Sequence, residues 1–417
     1  MLASKDFLSI ERSAELPLWR RPVGLLVLMA VAMPLSFSTW SALLNNFVIE
    51  AAGFDGVDIG WLHTVREIPG LLSVGVIAIL LVIREQLLAL VCLVLLGVAT
   101  AITAYFPSMG GILVITMLSS IGFHYYETAN QSLQLQWLKK ADAPRVLGML
   151  IAVGSFASLI AYLLIVLTWQ TFNLSFAFVY MMSGGLTVAI AVFCYFAYPQ
   201  FVAPVPQRRG MVLKRRYWLY YALQFMSGAR RQIFVVFAGF MMVERFGFEV
   251  HEVTALYMIN LLVTMVAGPF IGRAVGYWGE RRALIFEYVG LILVFLAYGG
   301  IYMFGWGVVL ASVLYVIDHI FFALALAIKT YFQKIADPED IAPSAAVAFT
   351  INHIAAVLLP AFLGYLWVQS PAWVFGLASA MAAVSLGLAL LIPRHPGIGR
   401  ETLLSFRASR APGAPAE

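Results

Sequence analysis

Ionisable and amide side chains inside long apolar runs are the residues of this sequence that could do chemistry, and they are few. One run holds His63, Arg66 and Glu67, and another holds His124, Glu127 and Asn130. Arg230, Arg231 and Gln232 share a third, followed by Asn260, by Asp318 with His319, and by Asn352 with His353. Glu287, near the start of a further run, stands apart from these. A charge at the centre of a membrane helix costs about 2.5–3.5 kcal/mol on insertion scales, so such residues pair, line a wet path or carry ions.

The residue types narrow that choice. His124 and Glu127 are three apart and share a helix face, the geometry of a proton relay and equally of a satisfied hydrogen-bonded pair. Asp318 and Glu67 are the other acids able to take up a proton, and His319 adjoins Asp318. Arg230 and Arg231 each offer a planar fork suited to a substrate's anionic group. Neighbours on a helix point about 100° apart, so one of the two faces a given cavity, and the sequence does not say which. The same geometry gives Arg66 and Glu67 separate partners and favours a structural role for them. His124, Asn260, His319, Asn352 and His353 complete the candidate substrate contacts, with His353 and Asn352 also suited to bonding between helices. Tyr125, Tyr126, Phe321 and Phe322 flank the histidines and read as packing residues.

Other chemistries find little support. The histidines of these apolar runs, with Glu127 and Asp318, suit a borderline divalent metal, yet there is no His-x-x-x-His pair and the 16 methionines are scattered, so no metal site is expected. Cys92 and Cys194 both lie in apolar runs and read as small buried hydrophobes. No glycine-rich phosphate loop follows a strand, so neither ATP nor another cofactor is expected to drive the protein.

The elements that must position these residues are membrane helices. Hydrophobic residues make up 62% of the 417 and charged residues 11%, with a mean hydropathy of +0.91, far from soluble composition. Twelve runs approach the roughly 20 residues that span a bilayer: 23–46, 57–82, 86–106, 111–137, 145–169, 174–198, 217–242, 250–276, 281–303, 307–333, 342–368 and 371–392. The first is too long for a signal-peptide core and is expected to be retained. Lys and Arg crowd the N-terminal tail, the connection at 139–145, the segment 199–216, the connection at 281–282 and the C-terminal tail. The alternate connections hold only Arg245. By the positive-inside bias both termini are cytoplasmic. The net charge of +5 reflects that topology rather than nucleic-acid binding.

The chain also repeats itself. GFHYYETANQSLQLQWLKKAD from Gly122 and IDHIFFALALAIKTYFQKIAD from Ile317 align at an offset of 195 residues, which sets His124 on His319 and Asp142 on Asp337. Two structurally equivalent halves usually enclose a binding site where they meet. The expected organisation is an N-terminal tail (1–22), a six-helix bundle (23–198), a Pro-rich basic linker (199–216), a second bundle (217–392) and a disordered tail (393–417). The stretch FLSIERSAELPLW reads either as an amphipathic surface segment or as a flexible tail.

Six plus six spans, cytoplasmic ends and a basic central loop resemble the major facilitator superfamily. The best local match is GRAVGYWGERRAL from Gly272, similar to the family's loop signature of a glycine, an acid four residues later, a second glycine and a basic pair. Gly276 takes the acidic position here, and the loop after the second run keeps only Gly75 and Arg84. Leu118 or Ser119 stands where some members carry an arginine, and the fifth run lacks the Gly-Pro signature of drug/proton antiporters, so no subfamily is identified. The resemblance implies an all-α membrane fold of two pseudo-symmetric bundles, a monomer, and a cavity lined by spans one, four, seven and ten. It also implies a gating role for Gly272, Gly279, Arg281 and Arg282.

The expectation is therefore a secondary transporter, not an enzyme, in a bacterial inner membrane, coupled to protons through Glu127, Asp318 and Glu67. It would move a small organic anion past Arg230 or Arg231. Efflux of amphipathic compounds is the alternative, with divalent-metal transport or a non-transporting sensor behind it.

Overall fold

The computed structural model describes residues 7–80, 82–138, 143–202, 213–337 and 340–408. Lys139, Lys140, Asp142, Arg208, Arg209 and Arg410 of the basic segments lie outside them. Among the described residues, ten helices are long and apolar enough to cross a membrane. The runs at 57–82 and 217–242 are helical in pieces instead. The major helices are α1 (Pro22–Ala52), α2 (Gly56–Leu71), α3 (Glu85–Ile102), α4 (Met109–Trp137), α5 (Ala143–Thr168) and α6 (Phe176–Ala197). They continue with α7 (Trp218–Ile233), α8 (Val250–Trp278), α9 (Glu280–Phe304), α10 (Val308–Ala323), α11 (Leu326–Ile335), α12 (Ile341–Gln369) and α13 (Pro371–Leu390). After α2 the chain tightens into a 3-10 turn, Leu72–Gly75. After α7 it widens into a π-helical turn, Phe234–Ala238, a form that recurs at functional sites.

The chain divides into two compact units. The first comprises Met1–Phe54, Val65–Arg208 and Gly247–Met258; the second comprises Asp55–Thr64, Arg209–Phe246 and Ile259–Glu417. Within the first unit α3 packs on α4 and α6, and α1 packs on α5 and α6. Within the second, α9 packs on α10 and α13, and α7 packs on α12 and α13. These are the same pairings in the same order, so the repeat seen in the sequence is a repeat of packing.

Small residues bring these helices together, as they must where lipid supplies no hydrophobic drive between helices. Gly97 of α3 and Gly184 of α6 face each other so closely that a Cβ on either would strike the other's carbonyl oxygen. Hydroxyls then tie α1 down: Ser36 donates to Thr187 at 2.9 Å, Thr187 to the Ala32 carbonyl at 2.8 Å, and Ser38 meets Ser158 at 2.8 Å. In the second unit Gly228 of α7 sits against Asn352 of α12, and Gly290 of α9 against the Phe321 ring of α10.

Pro360 interrupts α12, and its consequence is local. At this turn the Thr64 hydroxyl reaches the backbone of α12, donating to the Val357 carbonyl at 2.9 Å and accepting from the Ala361 N–H at 3.1 Å. A side chain inserted into the ladder beside a proline is a recognised cause of a helix bend. Gly60 and Gly364 let the two backbones come close enough for this.

Both tails depart from expectation. The segment read as amphipathic or flexible begins with a strand, β1 (Phe7–Ser9), paired in parallel with β2 (Gln200–Val202). The Gln86 amide bonds the Pro199 carbonyl and the Phe201 N–H, each at 2.9 Å, and Arg84 lies 4.0 Å over the Phe7 ring. At the other end, residues 393–405 are ordered rather than disordered. The buried Tyr331 hydroxyl donates to the Glu401 carbonyl at 2.6 Å, and the Leu403 N–H reaches Leu391 at 2.9 Å. A buried hydroxyl needs a partner, and the tail supplies it. Residues 409–417 lie outside the described residues.

Candidate functional site

The second unit contains Arg230, Arg231, Glu287, Asp318 and His319. Arg230 and Arg231 end α7, and their roughly 100° separation sends them to different surroundings. Arg230 is 0% exposed: its Nε donates to the Met226 carbonyl at 3.2 Å, its guanidinium lies 4.3 Å over the Tyr288 ring, and its Nη2 is 3.6 Å from Glu287 Oε1. Asp318 of α10 is equally enclosed and close enough to Arg230 to interact electrostatically. Arg231 instead is exposed, on the side where its charge reaches His319.

His319 is the centre of a second group. Its Nδ1 is 3.1 Å from the Asn260 amide nitrogen of α8, and Phe234 in the π-helical turn stands edge-on to it at 4.7 Å, with Tyr315 at 5.6 Å. The structure thus brings Arg231, His319 and Asn260 together beside two aromatic faces, while Asp318, one residue away, turns into the bundle with Arg230. Asn352 is drawn against α7, donating to the Gln224 carbonyl at 3.4 Å, and His353 bonds the Phe349 carbonyl of its own helix at 2.9 Å.

In the first unit Arg66 and Glu67 bond each other, which corrects the expectation of separate partners. Arg66 Nε and Nη2 both reach Glu67 Oε1, at 3.1 and 2.5 Å. Two long side chains can fold back across the 100° that separates their Cα–Cβ bonds. Arg66 also lies 6.0 Å from the Trp40 ring, and Ser120 of α4 donates to its carbonyl. Along α4, His124 is buried against Phe123, which stacks on Phe37 at 4.5 Å. Glu127 is half-buried and hydrogen-bonded by Gln131, one turn on.

The turn between α8 and α9 is built on Gly279, whose φ of 76° is a left-handed value that side chains avoid. Gly272 and Arg282 are exposed, and Arg281 is half-buried. The acid absent at Gly276 has a counterpart here in Glu280, bonded at 2.7 Å by Lys334 at the end of α11. Sequence reasoning did not single out Glu280. It also left Glu287 outside the site, although a lone acid seven residues into an apolar run is a signal that it has a buried cation.

Two compact units of membrane-length helices, each enclosing polar side chains, are the frame of a membrane transport protein. The chain belongs to the Major Facilitator Superfamily, whose family model matches residues 25–360. It is a multi-pass membrane transporter of small molecules rather than an enzyme. Solved structures share its fold: a mutant of the nucleoside transporter NupG at 15% identity, covering 89% of this chain and 99% of that one, has a TM-score of 0.73. A bacterial homologue of the human lysosomal transporter Spinster, inward-facing and unoccupied, stands at 12% identity, coverages of 93% and 96%, and a TM-score of 0.67. An auto-inhibited POT-family peptide transporter follows at 13%, 95% and 99%, and 0.63. No curated protein matches the sequence.

Proposed function

We propose that this chain is a proton-coupled secondary transporter for a small organic anion, working as a monomer in a bacterial inner membrane with both termini in the cytoplasm. One observation carries the substrate class. Of the two arginines in α7, Arg230 is enclosed with its own acid, whereas Arg231 is exposed beside His319 and Asn260. Arg231 is thus the fork that receives the anion, His319 and Asn260 bond its polar atoms, and Arg230 acts from inside the bundle. His124, Asn352 and His353 are further contact candidates. Glu127, Glu67 and Asp318 are the acids that carry protons, and the glycine turn with Gly272, Gly279, Arg281 and Arg282 serves the gate.

A second reading is favoured by the rings of Phe234 and Tyr315 around His319, and by the likeness to a nucleoside transporter: a neutral ring-bearing metabolite. Thermal shift of the purified protein with succinate, benzoate and uridine separates the two, followed by uptake into proteoliposomes under an imposed proton gradient. An anion should stabilise the parent, Arg231→Lys should weaken binding, and Arg231→Gln should weaken it about 10–100-fold, the worth of a charged hydrogen-bonded fork. Stabilisation by uridine alone, or unchanged anion binding in Arg231→Gln, would remove the anion assignment.

A further inference from the structure

Inside the second unit, three side chains that all carry charge at neutral pH in water are shut away together. Arg230, Glu287 and Asp318 are each 0% exposed, and they come from three helices, α7, α9 and α10. They comprise two acids and one base. Fully ionised, they leave an uncompensated negative charge in the core of a membrane bundle, the least favourable place for one. Among the described residues, Arg230 is the one lysine or arginine that is buried, and Arg231, next to it on α7, is exposed on the side of His319. Helix α13, which packs on both α7 and α9, has no ionisable residue. Lys334 of α11 is spent on Glu280, and Lys329 is exposed. On α12, His353 bonds its own helix. On α10, His319 faces Asn260 and Phe234. From α9 the phenols of Tyr288 and Tyr298 face the group, and neither adds a positive charge.

The hydrogen bonding is as incomplete as the charge. Both oxygens of Asp318 and both of Glu287 are buried without a hydrogen-bond partner, as are both terminal nitrogens of Arg230. The guanidinium approaches Glu287 at 3.6 Å, longer than a formed bond. Donors and acceptors in excess on both sides of one flexible side chain describe a group with more than one pairing.

We propose that Glu287 and Asp318 form a proton-binding site in which the two carboxyls hold one proton between them and share Arg230 as their counter-ion. With the proton on Asp318, Arg230 pairs with Glu287, as in this structure. With the proton on Glu287, the guanidinium turns to Asp318. Proton loss to water leaves both acids competing for one cation, and the resulting pull on α7, α9 and α10 is the signal to the neighbouring Arg231–His319–Asn260 group. This rests on the proton-coupled reading above and names where one coupled proton sits.

The arithmetic of charge supplies a test that a set of merely structural ion pairs would fail. Infrared spectroscopy of the full-length protein in proteoliposomes at pH 7 should show the carbonyl stretch of a protonated, water-shielded carboxylic acid. Glu287→Gln and Asp318→Asn should each lose one carboxyl's worth of that band, because the remaining acid is then balanced by Arg230. Arg230→Lys should retain it, and so reports on the site even if an acid variant does not fold. A band absent from wild type, lost in Arg230→Lys, or kept by either folded acid variant overturns the site. Fluxes in pyranine-loaded vesicles, driven by whichever of succinate and benzoate the shift screen selects, separate this from the parent reading. If flux moves no protons while the band behaves as described, the site stands and the coupling falls. Proton-coupled flux with the band unchanged in both acid variants overturns the site and leaves coupling to Glu127 and Glu67.

Discussion

At the scale of single residues, adjacency in sequence and adjacency in space part company. Arg230 and Arg231 are indistinguishable by type, yet one is enclosed over Tyr288 and the other exposed near His319. Asp318 and His319 divide in the same way. The division makes separable expectations for variants. Arg231→Gln should lower affinity with the fold intact, whereas Arg230→Gln leaves buried acids without a cation and should lower the melting temperature, since breaking a buried pair costs about 3–5 kcal/mol. A melting curve for each variant decides this; equal stability of the two would remove the distinction. For Glu127, held by Gln131 on α4, replacement by Gln should abolish gradient-driven accumulation while substrate exchange persists. Accumulation at the parent level would make Glu127 a structural residue.

Elements are shaped by a few positions where the regular backbone fails. Gly279 is the N-cap of α9 with φ 76°, and a Leu there would have to adopt a strained backbone costing about 1–3 kcal/mol. Open space around it means that the strain is not compounded by collision. Gly279→Leu should therefore express and insert while transporting slowly, and a normal transport rate would free the α8–α9 turn from any gating role. Thr64 is a second such position. With Pro360 interrupting α12, Thr64→Val leaves the Ala361 N–H and the Val357 carbonyl without their hydroxyl, a loss of about 1–3 kcal/mol for buried groups. A melting temperature unchanged by Thr64→Val would show that α12 repairs its own ladder.

On the scale of the molecule, the chain ties its loose ends by specific contacts. Tyr217, just before α7, donates to Asp340 at 2.6 Å, Lys214 lies 2.6 Å from the same carboxylate, and Arg216 pairs with Asp337. Arg216 holds Asp337 below the usual carboxylate range, Lys214 does the same for Asp340, and Asp340 in turn raises Lys214. For lowered acids, the stabilisation is complete above the ordinary value of about 4 and is lost as pH falls through the folded values. For the raised lysine it is complete below about 10.4 and lost above it. Hydrogen-exchange protection of residues 213–217, corrected for intrinsic rates, should be flat between those limits and fall outside them. In Asp340→Asn it should be low throughout; parent-like protection there would show that the network holds nothing.

Much of this protein was legible in one dimension because lipid is a demanding solvent. Twelve apolar runs, a membrane fold and a family followed from hydropathy and one loop pattern, since a spanning segment must satisfy its own backbone and hide its charges. The repeat that sets His124 on His319 foretold the matching helix pairings of the two units, because equivalent patterns of small and apolar residues pack equivalently. What tertiary structure decided were the choices that depend on helix phase and on groups far away in sequence. That Arg230 meets Glu287, that Glu280 takes Lys334 in place of the acid missing at Gly276, and that Thr64 enters the ladder of α12 all depend on helices dozens to hundreds of residues apart. Arg66 and Glu67 show the converse: rigid helix geometry set them apart, and flexible side chains joined them. The tails were misjudged for a related reason. Composition reports what a segment could bury by itself, whereas β1 and residues 393–405 are ordered by partners, Gln200–Val202 and Tyr331, that only the folded chain brings to them.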